Sequence, residues 1–79
     1  MLEAAKLSLQ RAISLNPKNA ELHYQLARLY FTLGSFVDSI EESKRALALS
    51  PDYAEVYQLR QKLWQTETSL SSITVSTRP

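Results

Sequence analysis

Apolar residues recur at helical spacing along most of the chain. Leu22, Leu26, Leu29, Tyr30 and Leu33 fall at i, i+4, i+7, i+8 and i+11, one stripe of a 3.6-residue helix. The stripe predicts a helix over about 20–33, starting at Asn19 or Ala20 and stopping at Gly34, the only glycine. Glycine takes positive φ without a Cβ clash and so closes a helix at little cost. Ser35, with Asp38 three residues on, has the residue types of a cap for the next helix, 36–49. Phe36, Ile40 and Leu47, with small Ser39, Ser43 and Ala46 between them, are expected to form its buried face. Pro51 marks its end, since proline cannot continue a helix interior. Asp52 and Glu55 repeat the capping pattern ahead of a helix over about 54–66. Upstream, Leu2, Ala5, Leu9, Ala12 and Ile13 give a helix over 2–15 that ends before Pro17.

After that the chain changes character. From Thr66 to Pro79 eight residues are Ser or Thr, which compete with a helix for backbone hydrogen bonds. The expectation is therefore one helical domain over 1–67 and a disordered Ser/Thr-rich tail over 68–79.

The helical part repeats itself. Laying Arg11–Tyr30 on Arg45–Trp64 gives seven identities in twenty at a constant offset of 34, including the prolines Pro17 and Pro51. A fixed period of this length marks stacked supersecondary units, each burying its apolar face against its neighbours.

A 34-residue helix–turn–helix unit punctuated in this way resembles the tetratricopeptide repeat, whose pattern is W-x2-L-G-x2-Y, then A-x3-F, then P. Ala20–Tyr53 lays over it without a gap: Leu26, Tyr30 and Pro51 match, and Ala46 falls where a small residue is usual. His23 stands at the Trp, Ala27 at the Gly, Ser39 at the Ala and Ser43 at the Phe. Met1–Asn19 is similar to the second half of a preceding repeat, with Ala5, Ala12 and Pro17 in place and Leu9 at the Phe position. Ala54–Thr66 is similar to the first half of a following one, with Tyr57 and Trp64 at the aromatic positions and Arg60 and Gln61 at Leu-Gly. The resemblance implies an all-α fold: antiparallel helix–turn–helix repeats stacked as a short right-handed α-solenoid.

It also implies a protein–protein interaction module, whose groove, lined by the first helix of each repeat, takes a peptide or partner helix. The residues turned to that groove would be Glu21, Tyr24, Gln25, Arg28 and Phe31 on one helix and Glu55, Gln58, Leu59 and Lys62 on the next. Tyr24, Arg28 and Phe31 form an aromatic–basic–aromatic row of types enriched at interface hot spots. The chaperone-tail clamp of some relatives needs Lys, Asn and Arg along this groove. Glu55 would repel the tail's carboxylates, and no Asn faces the groove.

Composition narrows the chemistry. Nine Lys and Arg against eight Asp and Glu leave a net charge of +1, which predicts no nucleic-acid surface, so binding to RNA as related helical repeats do is the weaker reading. Without cysteine there is no disulfide or thiolate metal site. The sole histidine, His23, stands at a packing position, and the adjacent Glu41 and Glu42 with Asp38, Lys44 and Arg45 read as a solvated, ion-paired face. No phosphate-cradling glycine loop is present. No enzyme activity, metal or cofactor is expected. No apolar run reaches membrane-spanning length and the N-terminus does not have the form of a signal peptide, so no membrane partner is expected and the default setting is cytoplasmic or nuclear.

One full repeat and two halves fall short of the three or so that such stacks usually need. Two accounts fit: the chain is a structural fragment or end piece of a longer array without binding activity of its own, or it completes its stack against a second copy, a homo-oligomer, or a different protein.

Overall fold

A computed structural model describes the backbone of residues 2–76 and the side chains of residues 2–65. The helices are α1 (Leu2–Leu15), α2 (Ala20–Leu33), α3 (Phe36–Leu49) and α4 (Ala54–Ser76). No strand occurs among the described residues. The boundaries of α1 and α3 are 34 residues apart at both ends, as are the first residues of α2 and α4. Each helix packs on the next, most extensively α2 on α3, and α2 also meets α4. The Cα atoms span 53 × 30 × 14 Å. In so thin a slab every helix keeps a side towards water.

The local causes are those of helix ends. Asn19 caps α2, its Oδ1 accepting from the backbone N–H of Glu21 at 3.0 Å and of Leu22 at 3.3 Å. At the far end Gly34 takes φ 81°. Its N–H donates to the Phe31 carbonyl at 3.1 Å and that of Ser35 to the Tyr30 carbonyl at 2.9 Å, a Schellman closure. Ser35 precedes α3 but makes no side-chain cap bond. Asp52, expected to cap α4, instead accepts from Ser50 Oγ at 3.1 Å.

Small residues set the core. Ala27, Ser39, Ser43 and Ala46 are fully buried, so α2 and α3 cross closely, and Ser39 Oγ donates to the Ala27 carbonyl across the crossing at 2.7 Å. Ser43 Oγ donates back to the Ser39 carbonyl at 2.8 Å, which settles its hydroxyl within its own helix. The large residues expected on the α3 face sit at the margins of that crossing: Ile40 and Leu47 are half-buried and Phe36 is exposed. A second cluster joins Ala27 to Leu59 and Leu63 of α4, with Tyr24, Phe31 and Ile40 packed around it. In α1 no residue is fully buried, because it has α2 alone to pack on. Leu9, Ala12 and Ile13 are half-covered, whereas Leu2 and Ala5, expected on the same stripe, are exposed.

The sequence ends the fourth helix near Thr66, but α4 continues to Ser76. Nothing between Ala54 and Thr77 is proline or glycine, and adding residues to an existing helix is far easier than starting one. Ser and Thr tax each step by only a few tenths of a kcal/mol, roughly, relative to good helix formers. The last part of the expected tail, residues 77–79, lies outside the described residues.

Candidate functional site

The side of α2 expected to line a groove is organised around one ring. Tyr24 is half-buried, and its ring centroid lies 5.1 Å from that of Tyr53, tilted by 44°. The Arg28 guanidinium carbon stands 5.6 Å from the Tyr24 centroid, a cation over an aromatic face. The i, i+4 spacing of Tyr24 and Arg28 along α2 makes this stacking possible. Tyr53 comes from the turn before α4, so the constellation joins the two ends of the Ala20–Tyr53 unit. Burial, then the carboxylates of Glu21 and Glu55, then Tyr24, raise the Tyr53 phenol above its ordinary value of 10.0. Both glutamates are thus close enough to be felt at that ring, and both are exposed.

The remaining expected groove residues divide. Gln58 and Lys62 are exposed on α4, as is Arg28 on α2. Gln25 and Arg28 also line an open recess of about 270 Å3 with Leu29 and Thr32, closed on its other side by Ala5 and Leu9 of α1. Phe31 turns inwards: it is half-buried and meets Phe36 edge-on, centroids 5.6 Å apart at 65°. Leu59 requires a correction. It is 6% exposed and packs with Ala27 and Leu63, so its place is the core. The angle at which α4 lies on α2 buries positions 56, 59 and 63, a stripe that spacing alone cannot distinguish from its neighbour.

Tyr53 lies outside every helix face, in the turn before α4, so helical periodicity does not point to it. A signal existed: one repeat earlier its position is held by Asn19, the cap of α2.

On the opposite side of α2 lies a buried polar link. His23, 6% exposed, has Nε2 2.9 Å from the Pro17 carbonyl and Nδ1 2.8 Å from Glu42 Oε1. A carbonyl only accepts, so Nε2 is the donor to Pro17. Glu42, 7% exposed, pairs through its other oxygen with Arg45. The ring thereby ties the α1–α2 turn to α3. Among the described residues no buried side-chain nitrogen or oxygen lacks a partner, no three of His, Cys, Asp or Glu gather to hold a metal, and no helix is long and apolar enough to cross a membrane.

The family model of the tetratricopeptide repeat matches residues 1–63. No curated protein matches the chain.

Proposed function

The chain belongs to the tetratricopeptide-repeat family, and from that premise we propose that it binds a peptide or partner helix along the face shared by α2 and α4. Repeats of this family are generally protein-interaction modules that bind proteins or peptides, and typically non-catalytic scaffolds. One observation carries the specific reading: the Arg28–Tyr24–Tyr53 stack joins α2 to the turn before α4 and stands at the surface amid Glu21, Gln25, Glu55, Gln58 and Lys62. Aromatic and arginine side chains give large contact area with few torsions to immobilise, which is why they anchor interfaces. Peptides selected on this chain from a display library test the reading. The double change Tyr24→Ala with Arg28→Ala should weaken them by about tenfold or more while helicity is kept. Equal binding to both forms would move the site elsewhere.

A second reading concerns the outer faces. Leu2, Leu7 and Leu15 on α1 and Tyr57 and Trp64 on α4 are exposed, Trp64 at 66%. Such faces favour a covering neighbour, whether further repeats or a second copy. Sedimentation equilibrium decides between them in solution. Self-association would also make the melting temperature rise with concentration.

A further inference from the structure

The uncovered face of α4 is its own two-fold complement, and we propose that it pairs with the same face of a second copy, antiparallel, about an axis passing between Arg60 and Gln61. This rests on the outer-face reading given above and commits the α4 side to one occupant.

Helical spacing sets the face. Val56, Leu59 and Leu63 turn into the core. Tyr57, Arg60, Gln61 and Trp64, at i, i+3, i+4 and i+7, form a stripe beside them. All four are exposed, Tyr57 at 51% and Trp64 at 66%. The Tyr57 ring is already fixed in place, since its Oη donates to the Pro51 carbonyl.

The repeat shows what such a stripe would need from a covering helix. One repeat earlier its positions are His23, Leu26, Ala27 and Tyr30. There α3 crosses close over a fully buried Ala27, whose carbonyl accepts from Ser39 Oγ at 2.7 Å. On α4 the place of Ala27 is taken by Gln61, and that of the buried Leu26 by Arg60. A further repeat laid on α4 in the same way would overpack against the Gln61 side chain. The α1 helix of a second copy would meet the same obstacle, with Ala5 at the position of Ser39.

A second α4 avoids it. Residues 57 and 64, like 60 and 61, lie equally far on either side of the point midway between Arg60 and Gln61. Antiparallel alignment about that point sets Tyr57 opposite the second copy's Trp64 and Arg60 opposite its Gln61, each pairing occurring twice. A patch that can serve as both sides of a contact is what a two-fold interface requires. The rings stand about 10 Å apart along each helix and hold the two axes at a distance that leaves room for Gln61. Its amide oxygen is then placed to accept from the guanidinium opposite. The exposed parts of four such rings amount to about 500 Å2. Arg60 and Gln61 bring the total near roughly 1,000 Å2, the lower limit of specific contacts and short of the roughly 1,200 Å2 of stable ones. The dimer is therefore weak, with a dissociation constant on the order of 10–100 µM.

The chain has one tryptophan and no cysteine, so both kinds of probe report this face without interference. Sedimentation equilibrium of the whole chain from about 1 µM to about 1 mM should show the mass rising from monomer to dimer and stopping there. Over the same range Trp64 should pass from open to shielded against acrylamide quenching. Salt should strengthen the dimer, because the two Arg60 guanidinium groups come close to the axis. Trp64→Gln should weaken it by about tenfold or more. A short bis-maleimide should link Gln61→Cys to its own copy, since that residue adjoins the axis, and should leave Gln58→Cys on the groove side unlinked. Growth past the dimer, linkage of Gln61→Cys only to Ala5→Cys, or a dimer indifferent to Trp64→Gln overturns the proposal and leaves the outer-face reading standing. A monomer throughout, with Trp64 open to the quencher, also overturns it and assigns the face to further repeats. A monomer with Trp64 shielded at every concentration covers that face itself and overturns both.

Discussion

Replacing His23 by Phe isolates the worth of the buried link between the α1–α2 turn and α3. A phenyl ring is close to imidazole in shape and suits a position that the family pattern fills with Trp, so little packing is lost. What disappears is hydrogen bonding. Glu42 Oε1 loses its partner at 2.8 Å while the residue stays 7% exposed, and the Pro17 carbonyl loses one at 2.9 Å. A buried polar group left without a partner costs about 1–3 kcal/mol, and two such groups lose one here. Arg45 still holds the other Glu42 oxygen, and its side chain is 58% exposed, so the carboxylate is not stranded. The expected loss is therefore about 2–3 kcal/mol. At roughly 0.05–0.15 kcal/mol per residue a chain of this size has about 4–12 kcal/mol in all, so that figure is about a quarter to two-fifths of the middle of the range. The melting temperature should fall by about 10–20 °C.

Urea and thermal melts followed by far-ultraviolet circular dichroism read the change. The double variant His23→Phe with Glu42→Leu supplies the check, because removing both partners leaves no buried orphan. It should be more stable than His23→Phe alone, with a coupling of about 1–2 kcal/mol. A single variant within about 0.5 kcal/mol of the parent, or a double variant whose losses simply add, would refute the link as a stabilising element.

Other outcomes follow from the helix ends and the groove rim. Gly34→Ala should cost about 1 kcal/mol in a urea melt from the αL backbone alone, because a Cβ there meets nothing within 4 Å. Asn19→Ala should cost about 1 kcal/mol and speed amide exchange at Glu21 and Leu22, whose N–H groups it holds. Tyr53→Asn sets a gained cap against a lost aromatic pair, each about 1 kcal/mol, so stability should stay within about 1 kcal/mol while groove binding falls. The raised Tyr53 phenol has a definite sign. Its contribution to stability is full below the ordinary value of 10.0 and is lost as pH climbs from there through the higher folded value, because the unfolded chain releases its proton first. Melts taken from about pH 9 to about pH 11 should therefore fall more steeply for the parent than for Tyr53→Phe.

The helices were legible because their joints carry residues with one structural use. Pro17, Gly34 and Pro51 each forbid or close a helix, and the three boundaries they mark stand where the sequence put them. The end of α4 has no such residue, and propensity differences of a few tenths of a kcal/mol do not stop a helix already under way. Ser35 and Asp52 have the chemistry of caps but not the geometry, which depends on backbone angles that residue type does not determine. In the candidate site, Tyr24 and Arg28 were legible from i, i+4 spacing. Leu59 was misplaced because one residue of rotation in the packing of α4 exchanges groove for core. Tyr53 escaped because a turn has no periodicity by which to place it. It becomes visible only when the two repeats are laid over each other.

The shared offset between α1 and α3, and between the starts of α2 and α4, also governs how this molecule can change in length. One residue inserted inside α2 would turn everything after it by about 100° and carry Ala27 away from Ser39, so the close crossing would open. Thirty-four residues inserted at a joint would restore every contact and add one layer to the stack. Within the helices, growth and loss are quantised: the step that keeps every contact is a whole repeat. Single residues are added more cheaply at joints such as 16–19 and 50–53, where the backbone is already outside the helical register.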